Sequence, residues 1–544
     1  MTTTAAPLVD TINILVADKL APAGVEYLRA AENVHVDVKM GLDENELAAI
    51  VGDYDGLLVR SAVQVTARVL EHPGRLKAIA RAGVGVDNID LDAATNAGVL
   101  VMNSAEASTI TTAEHAFALM MALARNVGPA ARTMYEGNWD RNKFVGTELW
   151  GKTLGIVGFG RIGQTVAERA LAFGMTVLAY DPVFHAETAL EGKVKLVSSF
   201  GDLVEQVDFL SFHVPLNDHT RGMLNTETFA RARPGLRVIN AARGGVVDID
   251  DLIKALDAGQ CAGAAIDVYE KEPPAEDDPL RRHPRILVTP HLGASTSEAQ
   301  EGVSTSACAQ ILEYLQGRGL RGAVNAAGVS FDLNALQMRF VDLARRMARL
   351  VAPLCEAGIA EVTVTCQGET LPPAATTIER VVLVELLNSL LDQPVNVVNA
   401  SVIGQQRGIR TRAVVEDEPR TSARVGVEIA TGSGTHTVRG CIYADGRPRI
   451  LEIDGYHMDM VPAGPMILLH NEDRPGMVGL VGSECGTAGA NIADLALSRS
   501  GDRALMVLKL DAAPDDALVN RLRARPGILQ VAAVHLPELA AETS

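Results

Sequence analysis

The chain has 544 residues, 47% of them hydrophobic and 21% charged, with a formal net charge of −18. That length excludes a single core and predicts about three to four domains. The acidic balance argues against nucleic acid or an anionic membrane as a whole-chain partner, so an anionic substrate needs a local cluster of Arg or Lys.

Cys261, Cys308, Cys355, Cys366, Cys441 and Cys485 show no CxxC spacing and hence neither a zinc nor a disulfide pattern. No basic segment followed by an apolar stretch opens the chain, and no run approaches the roughly 20 apolar residues of a bilayer span. A cytoplasmic location is expected.

From Asn13 short apolar runs alternate with helical patterns: NILVAD, PAGVEYLRAA, VHVDV, ENELAAIV and GLLVR, then LKAIARAG and GVLVMN. This βαβ rhythm predicts a parallel sheet. STITTAEHAFALMMALARNVG reads as a long apolar helix, with Thr111 and Glu114 at capping-box spacing. A second βαβ series runs from LGIVGF through TVLAYD, VDFLSFHVP, RVINAARGG, GAAIDVY and RILVTPH. Beyond Asn325 two helical patterns and several strand-like runs extend to about Pro462. From Pro465 the order β-α-β-β-α-β predicts a ferredoxin-like unit.

In LGIVGFGRIG the glycines Gly158, Gly160 and Gly163 follow a buried-strand run and open a helix. The first permits a tight turn, the second lets backbone approach a pyrophosphate, and the third lets helix pack on strand. Asp181, ending the next strand, is placed to accept from ribose hydroxyls and to repel a 2′-phosphate, which favours NAD over NADP. Arg161 lies inside the turn, where a pyrophosphate contact is expected. Three charged residues then fall at strand ends: Arg243 in NAARGGVVD, Glu272 in DVYEKEPP and His291 in TPHLGAST. Hydride transfer from an alcohol needs an acceptor for the hydroxyl proton, which an imidazole supplies near neutral pH. A carboxylate beside it would stabilise the protonated ring, and an Arg could grip a substrate carboxylate through two parallel bonds.

These segments, downstream of LGIVGFGRIG, resemble the D-2-hydroxyacid dehydrogenase family over the first 325 residues or so. The resemblance implies that Arg243 binds and polarises a 2-hydroxy or 2-oxo acid, that His291 exchanges the proton and that Glu272 tunes His291. It also implies cofactor contacts from Val84, Ile162, Val214, Ala241, Ala242, Asp267, Gly293 and Ala294, besides the glycine turn, Arg161, Asp181, Arg243 and His291. The expected architecture is α/β: a Rossmann-type nucleotide domain (105–294) inserted in a flavodoxin-like substrate domain (1–104 and 295–328). An α+β intervening domain (329–463) and a ferredoxin-like ACT domain (464–544) follow.

The backbone at Gly83, Val84 and Gly85 suits a carboxylate, and Arg60 suits the distal end of a longer, more anionic acid. RSAxxVT and RAGxGVDNID are similar to the branch of the family that oxidises 3-phospho-D-glycerate to 3-phosphooxypyruvate at the entry to serine synthesis. That similarity places Arg60 and Ser61 at the substrate, brings Arg141 to the substrate of a neighbouring subunit and packs the helix around His115 at a dimer interface. Lys39 is a weaker phosphate candidate. The last unit, with HNEDRPGMVG and GANIADLALSR, resembles an ACT domain, which implies L-serine as effector at Asn471, Asp473 and Asn491. Pro475 and Gly476 read as turn residues. Arg447 and Arg449 suit either an anion site or an ordinary hairpin edge. Two isologous surfaces favour a homotetramer. Side activity on 2-oxoglutarate fits the same cleft. The alternatives are a 2-ketoacid (glyoxylate or hydroxypyruvate) reductase and, more remotely, an NAD-sensing corepressor-like binding protein; the carboxy-terminal units weigh against both.

Overall fold

The computed structural model describes residues 11–184, 187–330, 332–355, 358–391, 393–416 and 422–539; the first ten residues, where a leader was sought, lie outside the described residues. Strands β1 (Ile12–Val16), β2 (Val34–Val38), β3 (Gly56–Val59), β4 (Ala78–Arg81) and β5 (Leu100–Asn103) form a parallel sheet in the order β2-β1-β3-β4-β5. β3 is buried along its whole length, as strands covered on both faces must be. One cover arrives late in the chain. The helix Ser297–Leu315 lays Val303, Ala307 and Ile311 on Ile14, Val16, Leu58 and Leu100. It approaches the helix Pro22–Arg29 so closely that a Cβ at Gly24 would press on the Ser304 backbone.

The second sheet comprises β6 (Thr153–Val157), β7 (Thr176–Tyr180), β8 (Thr188–Ala189), β9 (Val194–Leu196), β10 (Phe209–Phe212), β11 (Leu236–Asn240), β12 (Cys261–Ile266) and β13 (Ile286–Val288). Its order is β13-β12-β11-β10-β6-β7-β9-β8, parallel except for β8 against β9. The strand order reverses between β6 and β10, and the crevice above such a reversal is where open α/β sheets bind ligands. The expected capping box at Thr111 does not form. A 3-10 turn, Ala105–Ser108, runs directly into the helix Thr109–Ala124, so Thr111 is already helical and Glu114 pairs with Arg169.

A six-stranded sheet follows, from Ile359–Gln367 to Tyr456–Met460. The helix Ala335–Val351 packs on it through Phe340, Leu343, Met347 and Leu350, spaced at the helical period. The last sheet is antiparallel: Gly464–Glu472, Ile492–Ser500, Arg503–Leu510 and Ile528–Leu536, with the helices Met477–Thr487 and Asp516–Arg523. This is the expected β-α-β-β-α-β order. The third unit is tied to the first where Asn396 Nδ2 donates to the Gly98 carbonyl at 2.8 Å. It is tied to the fourth by the buried Arg346, which donates to the carbonyls of Pro462 and Pro537.

Candidate active site

The glycine turn has the shape its sequence requires. Gly158 has φ of 89°, and a Cβ there would strike the His213 carbonyl. A Cβ at Gly163 would strike the Gly158 carbonyl, so only glycine lets the helix Arg161–Ala172 sit down on β6. Gly160 faces open space, with nothing within 4 Å of a Cβ among the described residues. The first-turn amides of that helix have no intrahelical acceptor and face a place where an anion gains from the helix dipole. At the end of β7 the Asp181 carboxylate accepts from Phe159 N at 2.8 Å and Val183 N at 2.9 Å. These residues fit a dinucleotide. The exposed Arg161 guanidinium pairs with Glu106 at 2.7 Å beside the turn. Beside the turn, burial takes the His213 imidazole down to about 4, and its Nε2 lies 3.0 Å from Ser211 Oγ.

His291 Nδ1 is 2.7 Å from Glu272 Oε2, and the other carboxylate oxygen accepts from Tyr269 N at 3.1 Å. His291 has φ of 52°, the left-handed region that a non-glycine residue occupies only when its surroundings impose it. Asp267 does the imposing. Fully buried, it accepts from Leu292 N at 2.8 Å, Gly293 N at 2.9 Å and Thr289 Oγ1 at 2.6 Å. Burial pushes its pKa up, but hydrogen bonds from His115 and Thr289 outweigh that and leave it below the ordinary carboxylate value. His115 thus turns inward, 3.1 Å from Asp267; the sequence had suggested only that its helix packs at an interface.

Arg243 spans the cleft. It starts after β11, donates to the Ala242 carbonyl at 2.7 Å and reaches Asp87 of the first unit at 3.0 Å. A Cβ at Gly85 would strike its terminal nitrogen. Ala241 and Ala242 are buried beneath, and Val214 lies against Gly158. A third guanidinium escaped the sequence reading. Arg81 ends β4, its Nε is buried without a hydrogen-bond partner among the described residues, and Gly83 lies against its Nη1. Burial and the neighbouring Arg243 bring its pKa down to about 10, so it stays charged at neutral pH. The available signal was a charge closing the apolar strand AIAR, as Arg60 follows GLLV. Ser61 is exposed at the same end of the sheet. Lys39 is engaged elsewhere, donating to the Tyr54 hydroxyl at 2.9 Å. Arg141 lies exposed on the 3-10 turn Arg141–Lys143, outside the hydrogen bonds and ion pairs that knit the cleft.

A second pocket, of about 230 Å³, lies in the last unit and is lined by Asn471, Asp473, Arg474, Met477, Leu497 and Arg499 among others. Asn471 is 1% exposed, with Oδ1 unpartnered among the described residues. Asp473 pairs with Arg499 at 2.6 Å. Asn491 is not in this pocket: it donates to Asp511 at 2.6 Å. It precedes the strand Ile492–Ser500 while Arg499 lies near that strand's end, about 25 Å away at strand rise. Gly476, with φ of 93°, caps the helix Met477–Thr487. Arg449 stacks 5.3 Å over Tyr443 and pairs with Asp459 at 3.4 Å, the hairpin-edge alternative; Arg447 adjoins it.

Residues 117–293 match the family described as D-isomer specific 2-hydroxyacid dehydrogenase, NAD binding domain. Residues 337–454 match the D-3-phosphoglycerate dehydrogenase intervening domain, and 466–527 the ACT domain. The chain is 38% identical over 530 residues to the D-3-phosphoglycerate dehydrogenase of Archaeoglobus fulgidus, covering 96% of this chain and 100% of that one. It is 37% identical over 528 residues to that of Bacillus subtilis, covering 96% and 99%. Among solved structures, a glyoxylate reductase from Paecilomyes thermophila aligns with a TM-score of 0.54 at 29% identity, over 58% of this chain and 98% of that one. An NAD-dependent formate dehydrogenase from Staphylococcus aureus in complex with NAD aligns with a TM-score of 0.51 at 28% identity, over 56% and 96%.

Proposed function

The chain belongs to the D-3-phosphoglycerate dehydrogenase family, and we propose that its cleft oxidises 3-phospho-D-glycerate to 3-phosphooxypyruvate with Arg243, Glu272 and His291 at the reacting carbon. It is an NAD-dependent oxidoreductase. A bound NAD would supply the hydride acceptor for C2. The glycine turn, Asp181 and the backbone from Gly293 to Ala294 would hold it.

The observation that carries the assignment is the 2.7 Å bond between His291 and Glu272. With Nδ1–H donated to the carboxylate, the imidazole presents Nε2 as the acceptor for the C2 hydroxyl proton. Glu272 then stabilises the imidazolium that forms. Arg243 offers its guanidinium to the substrate carboxylate, with the amides at Gly83, Val84 and Gly85 beside it. Arg60, Ser61 and Arg81 face the phosphate end. Two guanidinium charges, Arg60 and Arg81, beside the Ser61 hydroxyl suit a dianionic tail within an otherwise acidic chain.

L-serine is the effector we assign to the carboxy-terminal pocket. Its ammonium suits Asp473, and a donor on the ligand would satisfy the orphaned Asn471 oxygen. Asn491 would then come from a second copy pairing along the edge strand Ile492–Ser500, where Leu495 and Leu497 are exposed. A second self-association face is supported by exposed Val127, Met134, Tyr135, Trp139, Val145 and Trp150, and it would carry Arg141 towards a neighbour's cleft. Two such faces give a homotetramer. The six cysteines, all buried and unpaired, suit the cytoplasm.

The test is the initial rate of NADH formation with NAD and 3-phospho-D-glycerate, with and without L-serine. Turnover that serine suppresses supports both assignments. Turnover blind to serine removes the effector, and oxidation of NADH by glyoxylate without turnover of phosphoglycerate replaces the substrate.

A further inference from the structure

The segment Arg60–Val63 has no regular structure, yet it must hold Arg60 and Ser61 at the edge of the cleft. Its backbone is fixed from outside by two side chains. Asp18, which follows β1 and is 8% exposed, points one oxygen, Oδ2, at three amides of the segment. Arg60 N donates at 3.0 Å, Ala62 N at 2.9 Å and Val63 N at 3.4 Å. Its other oxygen accepts from Lys19 N at 2.7 Å. Asn88 takes the carbonyls: its Nδ2 donates to Arg60 O and Val63 O, both at 2.7 Å. Asn88 ends the loop that begins at Gly83, and its own carbonyl accepts from Val65 N at 2.8 Å. The Ser61 amide alone among the four has no acceptor among the described residues.

We propose that Asp18 and Asn88 are positioning residues for the phosphate end of the substrate: together they fold Arg60–Val63 so that the Arg60 guanidinium, the Ser61 hydroxyl and the free Ser61 amide converge on one anion. The proposal rests on the reading of Arg60 as a phosphate ligand. A buried carboxylate beside an anion site would oppose binding if its charge were unmet. Here three backbone N–H groups converge on one of its oxygens and meet that charge. Asn88 adds a second function, because it joins the Arg60 loop to the Gly83–Gly85 loop beneath the carboxylate end. That amide side chain, with the Val65 N to Asn88 carbonyl bond, thus couples the positions of the two loops that would hold the two ends of the substrate.

The experiment compares KM and kcat of the full-length enzyme for 3-phospho-D-glycerate and for unphosphorylated D-glycerate in Asp18→Ala, Asn88→Ala, Asp18→Asn and Arg60→Ala, alone and combined. Asp18→Ala and Asn88→Ala should raise KM for the phosphorylated acid about 10- to 100-fold more than KM for D-glycerate, with KM for NAD unchanged as the measure of folding. Asp18→Asn keeps an oxygen for the three amides and should recover most of the affinity. On an Arg60→Ala background Asp18→Ala should add little, because both remove one interaction. Equal rises for the two acids, or additive losses with Arg60→Ala, overturn the proposal. If Arg60→Ala itself fails to discriminate between the acids, the phosphate-end reading falls first, independently of the clamp.

Discussion

The cleft draws on residues far apart in sequence and the carboxy-terminal pocket on residues close together, yet one chain gathers all of the first set and leaves Asn491 away from the second. In the cleft, Arg60, Arg81, Arg243, Glu272 and His291 come from five segments spread over some 230 residues. All end or follow parallel strands, and a parallel sheet delivers its strands' carboxyl ends to the same edge. In the pocket, Asn471 and Asp473 meet Arg499, but Asn491 stands at the other end of the same strand. Antiparallel sheets send successive strand ends to opposite edges. Parallel topology gathers a site within one chain, whereas antiparallel topology leaves residues at the two ends of a strand to be gathered by a neighbour.

Breaking the gathered site should produce the largest effect. His291→Ala is expected to lower kcat about 10²- to 10⁴-fold while NAD affinity, measured by fluorescence titration, stays put; retained turnover would move the proton acceptor elsewhere. Arg81→Met tests whether the guanidinium missing from the sequence reading belongs to the cleft. It should raise KM for 3-phospho-D-glycerate about tenfold or more, by roughly the 1.5–3 kcal/mol of a charged hydrogen bond, and an unchanged KM would make Arg81 structural.

The divided site is sharpened by mixing subunits. Asn471→Ala and Asn491→Ala should each abolish serine inhibition, but hybrids of the two should regain part of it, since one of the two sites at the hybrid interface keeps both amides intact. No recovery in hybrids would place Asn491 outside the site. The smallest effect concerns a pair inside the third unit. There His436 Nδ1 donates to the Asp454 carboxylate at 2.9 Å, which raises the pKa of His436 above its ordinary 6.5. A raised histidine stabilises the fold fully below the unfolded value and loses that contribution as pH rises through the folded one. The melting temperatures of the native protein and His436→Gln should therefore converge as pH rises above 6.5; divergence would reverse the assignment.

Much of the first two sheets was legible because each strand is a continuous apolar run bounded by turns, and the glycine turn because no other residue fits Gly158 or Gly163. β8 and β9 were not, being two and three residues long with no alternation to read. The cleft residues that carry charge at a strand end were visible in the same way, apart from Arg81. Asp18 and Asn88 were not, because the segment they hold lies 25 to 45 residues away, and no spacing along the chain encodes that. The inward turn of His115 was hidden for a similar reason: its partner, Asp267, reaches it only once β12 is in place.

The helix Ser297–Leu315 has a consequence for biosynthesis. It supplies Val303, Ala307 and Ile311 to a core whose strands end at Asn103. Roughly 200 residues separate the two, about 10–40 s of translation at ordinary elongation rates. During that interval the first sheet leaves the ribosome with one apolar face bare, while the nucleotide unit can complete itself. The enzyme's earliest-made part is thus completed only after the nucleotide unit that follows it, and it is the part a chaperone would need to shield.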